Sequence, residues 1–187
     1  RASNQNKSMK FLASDASSWL GTTVLNPIRY THLYHGEIVD GRIGDLSWDT
    51  PSYRPPMGAD AWQPASPYAN ASRLATAFTL LGAPPMAATD TYVSRSVTRV
   101  RTAGGGTGST AFVFDFGVNM AGFACLVLHE VVPAGTALTL KYGEVLHKNG
   151  TVSLPWGSGP GINQANQTDR YYARGQAGEV FTPAFTY

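Results

Sequence analysis

Twelve carboxylates are available for acid–base work, and Glu37 with Asp40 is the closest pair that could share a site. General acid–base catalysis needs two such groups aimed at one substrate from positions a turn or cleft brings together. On a strand, residues three apart face opposite sides, so the sequence assigns no catalytic residue. Histidines offer little more. His32 and His35 lie three apart, His129 and His147 stand alone, and zinc needs three or four converging ligands. Calcium takes oxygen ligands from several loops; Asn26, Asp45 and Asp49 have the right atoms but no recognisable loop pattern. No metal and no cofactor is assigned, with calcium left open.

Other reactive side chains fare similarly. Cys125 sits in the apolar stretch Phe123 to Leu128 and reads as a small buried hydrophobe. Gly104 to Gly108 lacks the lysine of a phosphate loop and reads as a flexible connection. Trp48, Trp62 and Trp156 fall in loop-like segments, where an indole can stack on a pyranose face or simply anchor its own loop. Four Asn-x-Ser/Thr acceptors occur, at Asn6, Asn70, Asn149 and Asn166, all in polar or turn-like surroundings that tolerate a glycan. Asn149-Gly150 also reads as a tight turn needing positive φ.

Composition sets outer limits. The chain has 187 residues, with 14 basic against 12 acidic side chains and a net charge of +2. Its basic residues form no cluster, so a nucleic-acid surface is excluded. No apolar run reaches the length of a membrane span. One cysteine excludes an internal disulfide framework and any zinc site built on paired cysteines. With 8 Phe, 9 Tyr and 4 Trp the chain is too aromatic for a solvated coil. Low charge and four acceptors predict a secreted, extracellular glycoprotein. Arg1-Ala2-Ser3-Asn4 is not an initiating sequence, which reads as a mature or internal fragment.

The elements that must position these side chains are strands. Glycine and proline total 20 and 12, which favours many turns and few long helices. Ile28 to Tyr34 alternates, with Ile28, Tyr30, His32 and Tyr34 on one face. Prolines punctuate residues 47–68, predicting a wrapped loop anchored by Trp48, Tyr53 and Trp62. Further strands are expected at Tyr92 to Arg101, around Phe112, Phe114 and Phe116 with a buried aromatic face, at Cys125 to Val131, and at Ala137 to Tyr142. Sustained helical periodicity is absent, so the fold class is all-β, a sandwich.

Several segments resemble one family. Phe114-Asp115-Phe116-Gly117-Val118-Asn119-Met120-Ala121-Gly122-Phe123 is similar to the D-F-G-Q-N-M-x-G-W strand and turn of bacterial-type α-L-rhamnosidases. Pro133-Ala134-Gly135-Thr136, Tyr142-Gly143-Glu144-Val145-Leu146, Asn149-Gly150-Thr151 and Thr168-Asp169-Arg170-Tyr171 follow in the family's order. So does Phe181-Thr182-Pro183-Ala184-Phe185-Thr186-Tyr187. Earlier, Pro27 to Glu37, Asp40-Gly41-Arg42, Trp48 and Ala61-Trp62-Gln63-Pro64-Ala65 also match. Val118, Phe123 and His35 stand where the family has Gln, Trp and Asp.

The resemblance implies two adjacent, partly truncated β-sandwich or jelly-roll units, galactose-binding-like over 1–82 and concanavalin-like over 83–187. Asp115, Gly117, Asn119 and Gly122 then serve as a structural motif, with side chains bonding the turn backbone. Hydrolysis in that family belongs to an (α/α)6 barrel using an inverting carboxylate pair, and no such barrel is present here. The implied role is a non-catalytic, inactive region of a longer glycoside hydrolase. Its partners would be a rhamnose-containing glycan and the rest of the parent chain or other chains of an assembly. A structural or lectin-like extracellular glycoprotein is the alternative.

Overall fold

The computed structural model describes residues 19–44, 47–58, 61–66, 82, 87–102, 109–153 and 166–187. Regular structure among them is entirely β: β1 (Leu20–Gly21), β2 (Ile28–His32), β3 (Gly36–Asp40), β4 (Gln63–Pro64), β5 (Ser96–Thr102), β6 (Ser109–Asp115), β7 (Leu126–Leu128), β8 (Ala137–Lys141), β9 (Val145–Leu146), β10 (Val152–Ser153), β11 (Thr168–Tyr172) and β12 (Glu179–Phe181). No helix among the described residues is long and apolar enough to cross a membrane. Contacts divide the chain into two compact units, residues 1–26 with 45–83, and residues 27–44 with 84–187.

In the first unit, β1 and β4 pair antiparallel, and the proline-rich segment closes through short turns. Thr50 N–H donates to the Ser47 carbonyl at 2.9 Å, and Trp62 N–H to the Pro56 carbonyl at 3.0 Å. Prolines supply no donor, and the Thr50 hydroxyl and the Trp62 indole N–H add side-chain bonds to these turns.

The second unit is built on a four-stranded sheet in the order β2-β3-β11-β8. The alternating run from Ile28 forms β2, and the turn back is closed by His35 N–H donating to the His32 carbonyl at 3.1 Å. Gly36 then starts β3 at φ +85°. β3 pairs parallel with β11, Ile38 opposite Arg170, and β11 pairs antiparallel with β8. Alternation along β11 buries Asp169 and Tyr171 and exposes Arg170. A second layer comes from the ribbon β7–β12. Tyr171, Ala173 and Phe181 form the core between them, with Val39, Leu126, Leu128, Leu138 and Leu140 around it. The Tyr171 and Phe181 rings stack at 5.0 Å.

Two expectations are corrected here. Phe112 and Phe114 are 59% and 56% exposed rather than buried. Among the described residues strands β5 and β6 pair only with each other, and alternation fixes which face is apolar without supplying a layer to cover it. Cys125 is exposed rather than buried; it precedes β7, whose pairing with β12 starts at Leu126. That pairing spans three residues, so the strand expected over 125–131 shortens to Leu126–Leu128.

Candidate functional site

The most enclosed polar group is Asp169, which is 0% exposed. Its register places it beside Tyr171 on the core side of β11. Asp169 Oδ1 accepts the Glu37 N–H at 2.9 Å and the Tyr187 hydroxyl at 3.1 Å. Glu37, 3% exposed, accepts the Ala184 N–H at 3.2 Å. Tyr142 stacks on Tyr187 at 4.5 Å. One carboxylate thus ties β3, β11 and the C-terminal segment to a single point.

The backbone is shaped around it. Gln167 adopts φ 37°, sparsely populated for a side-chain-bearing residue. A Cβ on Gly36 would fall 2.6 Å from Asp169 Oδ1 and 2.7 Å from the Tyr187 hydroxyl oxygen, so only glycine fits there.

Burial raises the Glu37 carboxyl above its ordinary range, opposed by the Ala184 N–H and reinforced by the charge of Asp169. Burial and the same charge push the Tyr142 and Tyr187 hydroxyls strongly upward. Tyr142 Oη, Gln167 Oε1 and Asp169 Oδ2 are buried without a hydrogen-bond partner. Two carboxylates in one another's field, one of them raised, have the electrostatics of an acid–base pair. Their enclosure denies a substrate access, so the chemistry they can perform is to hold the sheet together.

A second carboxylate is held differently. Glu179 accepts the N–H groups of Arg174 and Gly175 at 2.8 Å, of Gln176 at 2.7 Å, and the Tyr171 hydroxyl at 2.8 Å. Burial alone would raise its pKa, but these four donors outweigh that and bring it to about 2. The same arrangement pushes Tyr171 up to about 12, through burial first and Glu179 next.

Glu37 and Asp40 do not converge, as strand parity requires. Asp40 takes a bidentate pair from Arg42, Nε at 2.9 Å and Nη2 at 2.7 Å, which holds its carboxyl below the usual range. His32 and His35 have ring centroids 4.5 Å apart. Among the described residues no group of three His, Cys, Asp or Glu side chains could hold a metal ion. Asp49 and Asn26 are exposed, and Asp45 lies outside the described residues.

The tryptophans separate. Trp62 Nε1 donates to the Tyr53 hydroxyl at 2.9 Å, with the rings edge to face, so it anchors its loop. Trp48 is exposed, and Trp156 lies outside the described residues. An open cavity of about 330 Å³ in the first unit is lined by Thr22, Thr23, Gln63 and Ser66 with Val24 and Pro64; neither Trp48 nor Trp62 is among its lining residues.

Asn149 and Asn166 are exposed, while Asn6 and Asn70 lie outside the described residues. Asn149 Oδ1 accepts both the N–H and the hydroxyl of Thr151, and Gly150 turns the chain at φ +81°. In the 114–123 segment, Asp115 Oδ1 accepts the Gly117 N–H at 2.7 Å, and Gly117 sits at φ +69°. Asn119 is exposed. Gly122 exchanges backbone bonds with Tyr187 at 2.9 and 2.8 Å, and a Cβ there would meet nothing within 4 Å. Replacing Gly117 by alanine should cost about 1 kcal/mol from its positive φ, read as a lower urea midpoint. A new Cβ would press on the Arg95 side chain, which can swing aside. An unchanged midpoint would remove the strain argument.

Sequence reasoning passed over the Asp169 centre and the Glu179 loop. Both had a signal: an acid at the same parity as buried aromatics, Asp169 with Tyr171 and Glu179 with Phe181.

Residues 106–187 match the family described as the bacterial α-L-rhamnosidase concanavalin-like domain. Over 76 residues the chain is 36% identical to an α-L-rhamnosidase of Streptomyces avermitilis, a stretch covering 41% of this chain and 7% of that protein. A solved α-L-rhamnosidase from Dictyoglumus thermophilum aligns with 87% of this chain and 16% of its own, at 21% identity and a TM-score of 0.49. The chain therefore spans a small fraction of the length of either relative. It is α-L-rhamnosidase-like in its second half.

Proposed function

We propose that this α-L-rhamnosidase-like chain is a non-catalytic β-sandwich region of an extracellular glycoside hydrolase, whose hydrolytic barrel lies elsewhere in a longer protein. The observation that carries the reading is the match of residues 106–187 to the concanavalin-like domain. On this reading residues 1–82 belong to a preceding sandwich and 83–187 to the concanavalin-like one, with residues 27–44 joining the sheet of the latter. Partners are the remainder of the parent chain, other chains of an assembly, and a rhamnose-containing glycan.

The carboxylate geometry supports an inactive segment. An inverting site needs two carboxylates roughly 6.5–9.5 Å apart across an accessible sugar. Glu37 and Asp169 are enclosed, Asp40 is engaged by Arg42, and Glu179 is spent on four donors. Purified residues 1–187 should release no nitrophenol from an aryl α-L-rhamnoside, whereas the longer protein should. Turnover by the segment that survives chromatography and vanishes in Glu37→Gln would overturn this.

Secretion follows from the four acceptors, with Asn6, Asn70, Asn149 and Asn166 as the proposed glycan sites. Protein taken from its source should lose mass on enzymatic deglycosylation. An unchanged mass, with all four asparagines unmodified in peptide maps, would sink the glycoprotein reading.

The second reading is a structural or lectin-like glycoprotein. It is favoured by exposed aromatics on the sheet that no catalytic role explains.

A further inference from the structure

Strand β2 and the turn after it carry Tyr30, His32, Tyr34 and His35. Their rings gather around His32. Tyr30 and His32 stack at 6.4 Å with planes 13° apart, while Tyr34 at 6.0 Å and His35 at 4.5 Å are tilted to the His32 ring by 49° and 45°. Tyr30 is 44% exposed and Tyr34 60%. Among the described residues β2 is the outer strand of its sheet.

The cluster is pre-formed. His32 Nδ1 accepts the Tyr34 N–H at 3.2 Å, which fixes the imidazole. The Tyr34 carbonyl accepts the N–H groups of Asn166 and Gln167 at 2.8 and 3.4 Å, pinning the far end to the segment leading into β11. A rigid aromatic ligand platform loses little conformational freedom on binding.

Charge selects the ligand class. The cluster contains no carboxylate, ammonium or guanidinium. The nearest acids along the chain, Glu37 and Asp40, are buried and hydrogen-bonded. The one cation of β2, Arg29, falls in the register break between Ile28 and Tyr30. A nucleic acid would need a basic patch for its phosphates, and a quaternary ammonium needs rings converging into a cage. The near-parallel Tyr30 and His32 faces, flanked by the tilted Tyr34 and His35 rings, instead suit a molecule with flat C–H faces and a rim of hydroxyls.

We propose that Tyr30, His32, Tyr34 and His35 form a stacking platform for a neutral, extended oligosaccharide. The platform stands on these rings alone and does not depend on the hydrolase reading above.

Native gels cast with galactomannan, xyloglucan, pullulan or hydroxyethyl cellulose test it on the full chain. Wild type should be retarded by at least one of them. Tyr30→Ala and Tyr34→Ala should each weaken that retardation about 2–10-fold, the range expected for losing one ring contact, and the double variant should abolish it. These side chains are exposed, and circular dichroism would check that the variants keep the fold. Trp48→Ala should leave retardation intact. Retardation by none of the four, or retardation unchanged in the double variant, would overturn the platform. So would a wild-type dimer on size exclusion that Tyr34→Ala disperses, since the cluster would then be an interface between copies.

Discussion

Alanine at position 169 should lower the unfolding free energy by about 4 kcal/mol, measured as a drop in the urea midpoint followed by tyrosine and tryptophan fluorescence. Hydrogen bonds to a charged acceptor are worth about 1.5–3 kcal/mol each, and a donor left buried without a partner costs about 1–3 kcal/mol. Asp169→Ala removes the acceptor of the Glu37 N–H and of the Tyr187 hydroxyl together. The Glu37 N–H comes from a strand 132 residues away and the Tyr187 hydroxyl from the C-terminal segment, so neither finds a new partner without these segments shifting. Asp169→Asn keeps an oxygen in the Oδ1 position and should cost about half as much. A loss under about 1 kcal/mol for the alanine variant would show that the centre is not what joins β3 to β11.

Glu179→Gln should cost about 3 kcal/mol at neutral pH, since two oxygens that accept four bonds become one acceptor and one misplaced donor. The pH dependence follows from the depressed carboxyl. Its folded pKa is about 2 against an ordinary 4.5. The contribution of the ionised form is therefore complete above about pH 4.5 and is lost as pH falls from there through about 2.

Glu37 runs the other way. Its pKa is raised by burial, so its ionisation opposes folding, and acid relieves that penalty. Titrating stability from pH 6 to pH 2 should show a steep loss in wild type, a flatter profile in Glu179→Gln, and a steeper one in Glu37→Gln. Equal slopes in wild type and Glu179→Gln would mean that the loop donors do not hold the carboxylate.

Strand patterning read from the sequence located β2 and β5 to β8, five of the twelve strands among the described residues, because period two depends only on neighbouring residues. Within Ile28 to Tyr34 the strand formed over Ile28–His32, with a register shift after Ile28, and within Ala137 to Tyr142 over Ala137–Lys141. What alternation cannot convey is the partner. Nothing in Gly36 to Asp40 indicates that it pairs parallel with Thr168 to Tyr172. For the same reason Phe112 and Phe114 were expected to be covered, although the ribbon that carries them has no second layer among the described residues. Asp169 was read only as part of a family-like strand. Its position in the core register was visible, yet the donors that make it tolerable, Glu37 N–H and Tyr187, come from opposite ends of the unit.

The parallel pairing of β3 with β11 has a consequence for synthesis. Glu37 and Asp169 are 132 residues apart in the chain. At about 5–20 residues per second, β3 leaves the ribosome on the order of ten seconds before its partner is made. A lone two-stranded hairpin is marginal in water, and its inner strand carries Ile38 and Val39 with an unsatisfied edge. During those seconds the nascent chain is a sticky hairpin waiting for its neighbour, and contacts this distant in sequence close slowly. Soluble yield should therefore follow the fate of this interval, rising with lower temperature or a bound chaperone even where the finished sheet is equally stable.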